Sequence, residues 1–160
     1  GFILPSFRLI LDTMINQTFK KTERLCSKKT IERLFEKGST ETKTSYLFPF
    51  KVFYLFDSTQ ASQQLPQVLF TISKRNFKRA VDRNLLRRRC REAYRKNKHL
   101  FFESPEGQPP ASIAFVLIAK EKVEYEVIER SMKKLIVRLS KEVNPEKEAE
   151  KIAQETPKES

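Results

Sequence analysis

The spacing of apolar residues along the chain predicts alternating helices and strands. Residues 30–37 and 125–139 carry apolar side chains at helical intervals, which indicates two amphipathic helices, and Gly38 is expected to stop the first one. Three runs rich in β-branched and aromatic residues predict strands, at residues 46–56, 67–73 and 112–119. Residues 40–45 are predicted to be a polar loop or a short edge strand.

A third helix is predicted at residues 79–100, between the second and third strands. Strand, helix and strand in this order form a βαβ unit, whose crossover is right-handed in most proteins. Pro49 lies inside the first run and indicates an edge strand or a strand start there. The whole order predicts an α/β fold, an α+β sandwich with helices on one small mixed sheet. Residues 57–66 and 103–110 are predicted to be loops.

Length and composition fit one modest domain. The chain has 160 residues, of which 39% are hydrophobic, enough for one core and too few for two ordinary domains. Residues 1–15 are predicted to be an N-terminal extension outside the fold, residues 16–141 the domain, and residues 142–160 a disordered charged tail. No stretch reaches the roughly 18–20 apolar residues that a membrane span requires.

Most of the net charge lies in one segment, residues 74–98. It holds twelve Lys or Arg against two acids, Asp82 and Glu92, in a chain whose net charge is +12. Arginine outnumbers lysine there, and its planar guanidinium group binds phosphate through two hydrogen bonds and stacks on bases. The segment therefore favours a polyanionic partner, and a solvated basic face is the plainer alternative.

On a helical wheel most basic residues of this helix share one broad sector, while Arg89 and Lys96 lie between that sector and the apolar one. The members of the broad basic sector, together with Asn84, are Arg83, Arg87, Arg88, Arg91, Arg95 and Lys98. A second sector is apolar and contains Leu86, Cys90, Ala93 and Tyr94. One side of the helix is thus predicted to pack on the core while another side contacts nucleic acid.

The sequence of this segment resembles the signature of the bacterial ribonuclease P protein subunit. The resemblance rests on residues 73–84, which read SKRNFKRAVDRN, followed by Arg-Arg at residues 87–88 and Arg-Glu at residues 91–92. Weaker similarity is found at residues 19–25, and at residues 34–38 with the pattern Leu-Phe-x-x-Gly. Leu85 departs from the family, which usually has a third basic residue after Arg-Asn, and this puts one RNA contact in doubt.

The resemblance implies both a fold and a function. The implied fold is like the second domain of ribosomal protein S5, with a rare left-handed crossover around the basic helix. The implied function is that of an RNA-binding subunit that assists a catalytic RNA in the endonucleolytic removal of the 5′ leader from precursor tRNA. The implied partners are ribonuclease P RNA and precursor tRNA, in a cytoplasmic 1:1 ribonucleoprotein without a membrane, and the implied cofactor is Mg²⁺ at the RNA subunit.

The charge pattern and the resemblance together assign site residues. Contacts with the RNA subunit are expected at Lys74, Arg75, Lys78, Arg79, Arg83, Asn84, Arg87, Arg88, Arg91 and Arg95. In the family, the cleft between the sheet and the first helix holds the single-stranded leader, and aromatic rings beside basic groups suit such a strand. The expected cleft residues are Phe35, then Phe50 and Tyr54, and ordinary core packing is the alternative for each.

The residues themselves offer no catalytic centre. His99 is the only histidine, which excludes zinc sites built from several histidines and leaves a Ser-His-Asp site without support. The P-loop and dinucleotide fingerprints are absent, so chemistry is expected in an RNA subunit. The alternatives are a non-enzymatic RNA-binding protein of similar fold, such as a ribosomal or assembly protein, a DNA-binding helix, and a basic helix on a membrane surface.

Overall fold

A four-stranded sheet with helices on both faces forms the framework of the protein. The structure, a computed structural model, describes residues 19, 21–38, 40–56, 65–102 and 109–142. Within these residues the helices are α1 (Lys28–Phe35), α2 (Ala80–Asn97) and α3 (Tyr125–Ser140), and the strands are β1 (Lys43–Leu47), β2 (Phe50–Leu55), β3 (Gln67–Ile72) and β4 (Ser112–Leu117). The predicted extension and residues 143–160 of the predicted tail lie outside the described residues, as do most of the two predicted loops.

The sheet is mixed, as the pattern of segments predicts. Its strand order is β1-β2-β4-β3, with β4 antiparallel to β2 and parallel to β3, and with β1 antiparallel to β2 at one edge. Strand β3, helix α2 and strand β4 form the predicted βαβ unit, and this arrangement confirms the α/β class. The left-handed crossover and the likeness to ribosomal protein S5 stay predictions.

The prediction of one continuous strand at residues 46–56 is wrong. The chain turns at Phe48 and Pro49, which are joined by a cis peptide bond, so that β1 and β2 form a hairpin. Proline has no N–H group to donate to a neighbouring strand, and a strand cannot continue regularly through it. The short edge strand considered for residues 40–45 exists in part as β1, and β2 begins directly after Pro49.

The larger core lies between one face of the sheet and helices α2 and α3. Alternate strand residues point to this face, and on β2 they are Phe50, Val52 and Tyr54. Tyr94 of α2 is wholly buried in this core, with its ring centroid 5.9 Å from that of Phe70 and 6.3 Å from that of Phe115. Because the apolar sector of α2 faces the sheet, its basic sector faces away from the core.

The opposite face of the sheet is covered by α1 over a smaller area. Leu34 of α1 is buried with Leu25, Leu55 and Ala114, and Phe53 packs against this cluster from β2. Since α1 has only eight residues, it leaves part of this face open. The opening lies on the side of Phe53 and becomes relevant to binding below.

Helix α1 begins earlier than predicted. The hydroxyl oxygen of Ser27 accepts a hydrogen bond from the backbone N–H of Thr30, 3.4 Å away, so the helix starts at Lys28. It ends at Phe35, and Gly38 adopts a positive φ of 78° in the turn that follows. A side chain disfavours that backbone conformation, which explains the glycine at this position.

The N-terminal segment is held beside β3 and against the end of α2. The backbone N–H of Leu25 donates to the carbonyl oxygen of Val68, 3.0 Å away. The carboxylate of Glu23 pairs with the ammonium group of Lys98 at 2.8 Å, and both side chains are buried. The prediction that Lys98 belongs to the basic side of the helix is wrong, because α2 ends at Asn97 and Lys98 begins a 3-10 turn that carries it inward.

We expect Glu23→Gln to destabilise the fold strongly. The substitution leaves the Lys98 charge buried without its carboxylate, and breaking a buried ion pair in this way costs about 3–5 kcal/mol. The matched control is Glu41→Gln, which breaks the exposed pair with Arg33 at 2.8 Å, a kind of pair worth at most about 1 kcal/mol. Urea unfolding measures both variants, and equal losses of stability would contradict the importance of burial.

Candidate nucleic-acid interface

The basic face of the protein consists of the turn before α2 and the outer side of α2. Some residues predicted to contact RNA are exposed there: Lys74, Arg75, Lys78, Arg79, Asn84 and Arg88. The remaining ones are half-buried: Arg83, Arg87, Arg91 and Arg95. The predicted set therefore divides into exposed side chains and arginines that are partly buried against the protein.

Arg83 joins the turn to the helix. Its Nη1 donates hydrogen bonds to the carbonyl oxygens of Phe77 and Lys78, at 2.9 and 2.8 Å. Because one guanidinium group holds two successive carbonyl groups, the turn and its exposed cations stay close to the first turns of α2. Arg83 thus positions the basic face, and a contact of its own with RNA stays a prediction.

Both acids of the basic segment are engaged within the protein. Asp82 pairs with Lys122 at 2.9 Å, and this hydrogen bond lowers the pKa of Asp82. Glu92 pairs with Arg95 at 2.6 Å and with Lys96 at 3.6 Å, and the hydrogen bond from Arg95 lowers the pKa of Glu92. Arg95 is thus a predicted RNA contact whose charge a carboxylate already offsets.

An arginine groove lies along β3, the strand at the second edge of the sheet. Its volume is about 420 Å³, and its lining includes Arg24, Arg87, Arg91, Phe19 and Cys26 beside residues of β3. Burial lowers the pKa of Arg91, and repulsion from Arg24 and Arg87 lowers it further. No acid is among the lining residues that the structure describes, so the groove concentrates positive charge without a counter-charge.

This groove suits a phosphate group of a nucleic acid. A phosphate relieves the repulsion between the guanidinium groups and accepts paired hydrogen bonds from them. The ring of Phe19 lies 5.8 Å from the guanidinium carbon of Arg24, so an apolar surface is present beside the charges. Sequence reasoning missed Arg24 and Phe19, although both lie in residues 19–25, whose similarity to the family was a usable signal.

A second surface, the aromatic surface, lies on the side of the sheet that α1 covers in part. Phe35 is 39% exposed, and its ring centroid lies 5.1 Å from that of Phe53 in an edge-to-face arrangement. The ammonium group of Lys51 lies 5.2 Å from the centroid of Phe53. Tyr46, which is 61% exposed, is paired with Lys51 across the β1–β2 hairpin and points to the same side. These four residues place rings and a cation together.

The prediction that Phe50 and Tyr54 share a cleft with Phe35 is wrong. Both residues are buried on the opposite face of the sheet, with exposures of 0% and 3%. Tyr54 also donates a hydrogen bond to Glu142 at 2.6 Å; burial and then this bond raise the pKa of Tyr54. The sequence signal for the open face was Lys51, because a lysine within a strand marks the face that is exposed to solvent.

The described residues offer neither a metal centre nor a membrane span. No group of three or more His, Cys, Asp or Glu side chains within them is arranged to hold a metal ion. No helix in the same part of the chain is long and apolar enough to cross a bilayer.

Comparison with known proteins gives a consistent result. The family model described as Ribonuclease P matches residues 19–140. A ribonuclease P protein component from Porphyromonas gingivalis is 35% identical over 121 residues, which is 75% of this chain and 85% of that protein. Proteins of the same name are 39% identical over 105 residues (64% and 69%) in Chlorobium phaeobacteroides and 30% identical over 133 residues (79% and 98%) in Petrotoga mobilis.

Arg91→Gln should weaken RNA binding without loss of stability. The substitution removes one phosphate contact, so the slope of log K against log[salt] should become shallower by about 0.7–1. Thermal stability should be unchanged or higher, because repulsion from Arg24 and Arg87 is relieved. Arg95→Gln removes the same charge from a residue already paired with Glu92 and should change the slope less. Equal effects of the two variants would mean that only net charge matters.

Cys26 should report occupancy of the arginine groove in the unaltered protein. Cys26 is exposed, whereas Cys90 is buried and burial raises its pKa to about 12. Iodoacetamide should therefore modify Cys26 alone in the native protein, and saturating RNA should slow that reaction. Both cysteines should react after unfolding in urea, which serves as the internal control. An unchanged rate at Cys26 with RNA bound would place the RNA elsewhere.

Proposed function

Because the chain belongs to the ribonuclease P protein family, we propose that it is the RNA-binding protein subunit of a ribonuclease P. In that role it assists a catalytic RNA in the endonucleolytic removal of the 5′ leader from precursor tRNA. The observation that carries the proposal is the presence, on one small domain, of an exposed aromatic surface and of an arginine groove with no acid among its described lining residues. Two surfaces of different chemistry suit two RNA ligands.

The basic face and the arginine groove are the surface proposed for the RNA subunit. Exposed cations on the turn and on α2 neutralise phosphates and release counterions, which gives affinity without reading sequence. Arg87 and Arg91 in the groove add directed hydrogen bonds to that general attraction. The cognate RNA is thus recognised by the arrangement of its phosphates.

The aromatic surface is the site proposed for the single-stranded leader. A base stacked on an aromatic side chain contributes about 1–3 kcal/mol, and stacking is available only to an unpaired strand. Phe35 offers an exposed ring for this purpose, and Lys51 lies close enough to offset a neighbouring phosphate. Precursor tRNA carries the leader and mature tRNA does not, so this surface favours the precursor.

The chemistry is proposed to reside in the RNA. The described side chains include no group of acids or histidines suited to a metal, and Mg²⁺ is expected with the RNA subunit. The protein then contributes positioning and a reduction of phosphate repulsion between leader and catalytic RNA. A 1:1 stoichiometry and a cytoplasmic location belong to the same proposal and rest on the family alone.

A non-enzymatic RNA-binding role, such as that of a ribosomal protein, is the weaker alternative. It accounts for the charge and for the sheet. It does not account for a family match that extends over residues 19–140 and includes both proposed surfaces.

Phe35→Ala should reduce the preference for precursor over mature tRNA. Loss of one stacked base predicts a reduction of about fivefold to more than a hundredfold, from about 1–3 kcal/mol at 1.4 kcal/mol per decade. Phe35→Tyr keeps the ring and should restore the preference. Competition binding to the protein–RNA complex measures both variants, after thermal unfolding has shown that they fold. A full preference in the folded alanine variant would remove Phe35 from the leader site.

The same complex tests the division of labour. Protein alone should leave precursor tRNA intact at every magnesium concentration, and protein with ribonuclease P RNA should release the leader whole. Cleavage by the RNA-free protein would overturn the assignment of the chemistry.

A further inference from the structure

Helix α3 carries a basic stripe that the proposed function does not use. Residues 130–141 contain no acid, and their basic members are Arg130, Lys133, Lys134, Arg138 and Lys141. Lys133 pairs with Glu129 at 3.7 Å, one turn earlier, whereas no ion pair to the other four is seen within the described residues. Arg130, Lys134, Arg138 and Lys141 therefore have no carboxylate partner among the described residues.

Helix electrostatics explains only part of this stripe. The partial negative charge at a helix C-terminus favours cations in the last turn, which accounts for Arg138 and Lys141. The effect fades within one turn, so it does not account for Arg130 or Lys134, which lie ten and six residues before Ser140, the last residue of α3. Like charges spaced three and four residues apart repel each other, so the stripe is slightly unfavourable in the free protein.

Hydrogen bonds connect the basic stripe of α3 to the β1 edge of the sheet. Nη1 of Arg138 donates to the hydroxyl oxygen of Ser45 at 2.9 Å and to the carbonyl oxygen of Tyr46 at 3.2 Å. The hydroxyl group of Ser131 donates to the carbonyl oxygen of Phe48 at 2.6 Å. Both contacts hold α3 against the hairpin, so the guanidinium group of Arg138 is fixed in place before any ligand binds.

A shallow groove of about 580 Å³ runs along the same side of α3. It is lined by Lys133, Lys134, Val137, Arg138 and Lys141. Two exposed rings stand on the adjoining hairpin, Tyr46 at 61% and Phe48 at 54% exposure. Cations beside exposed rings are the combination that binds single-stranded nucleic acid, whereas duplexes hide the faces of their bases.

Together with the basic face and the aromatic surface, this groove forms a continuous surface that one nucleic-acid strand could follow from the β3 edge to the β1 edge of the sheet. The basic face and the arginine groove lie at the β3 edge of the sheet, and the α3 stripe lies at the β1 edge. The aromatic surface lies between them, and Tyr46 belongs to its outer rim. A strand that leaves Phe35 toward β1 therefore meets Tyr46 first and the α3 cations next.

We propose that the α3 stripe binds single-stranded RNA and extends the leader site beyond the aromatic surface, a proposal that rests on the proposed function. Nucleotides far from the cleavage point contact Lys134, Arg138 and Lys141 through their phosphates. The stripe thus makes affinity depend on leader length.

The test compares short and long single strands. Oligonucleotides of about four and about twelve nucleotides are bound to the full chain at several salt concentrations. Lys134→Gln combined with Lys141→Gln should make the salt slope for the long strand shallower by about 1.4, from about 0.7 per lost contact, and leave the short strand unaffected. The matched control is Lys28→Gln combined with Lys29→Gln, which removes the same charge from the exposed start of α1. This control variant should bind both strands as the wild-type protein does.

Three results would overturn the proposal. The first is an unchanged salt slope for the long strand in the α3 double variant. The second is an equal change of the salt slope for both strand lengths, or an equal change in the α1 control variant, because net charge alone would then explain binding. The third is an equal loss with duplex RNA or with vesicles of equal phosphatidylglycerol and phosphatidylcholine, which would make the stripe a general polyanion surface. Failure of the proposed function would appear separately, as wild-type protein that does not support leader removal by ribonuclease P RNA.

Discussion

The buried ion pair between Glu23 and Lys98 is the interaction on which the arginine groove depends. It joins the N-terminal segment to the end of α2, at 2.8 Å and away from water. That segment carries Arg24 to the edge of β3, where Arg24 meets Arg87 and Arg91. A purely hydrophobic contact would allow the N-terminal segment to shift along α2. A shift that separates Glu23 from Lys98 leaves a buried charge without its partner, which is strongly unfavourable. The pair therefore selects the one arrangement in which the arginine groove exists.

The distribution of acids shows how the protein keeps its binding surfaces positive. The two acids of the basic segment form ion pairs, Asp82 with Lys122 and Glu92 with Arg95. Neither acid is among the described lining residues of the arginine groove. In the groove, burial and then repulsion from Arg24 and Arg87 lower the pKa of Arg91, so its positive charge is less favourable there than in water. Burial of Tyr94 and its apolar neighbours supplies the stability that such crowding requires. A phosphate ligand then releases the repulsion on binding.

Sequence periodicity was enough for the architecture but not for the choice of faces. The order of elements, the βαβ unit and the apolar side of α2 followed from spacing, because each depends on residues close in the chain. Pro49 indicated that the strand could not run regularly through residues 46–56. The hairpin that results could not be predicted from this signal, because it depends on the pairing of β1 with β2. Phe50 and Tyr54 were assigned to the wrong face of β2 because aromatic residues occur on both faces, and the packing of α2 and α3 buries the face that lacks Lys51. The inward position of Lys98 could not be predicted either, because it depends on its contact with Glu23, 75 positions away in the sequence.

The proposed role requires one small domain to bind two RNAs, the catalytic RNA and a single-stranded leader. The fold meets this demand by placing different chemistry on different parts of one sheet. Directed guanidinium contacts lie at the β3 edge, stacking rings lie on the open face beside α1, and solvated cations lie beyond the β1 edge. Stacking discriminates an unpaired strand, whereas exposed cations add affinity that salt screens easily. Because α1 is short, the face between the two basic edges stays open, which leaves room for the proposed leader strand beside an RNA bound at α2.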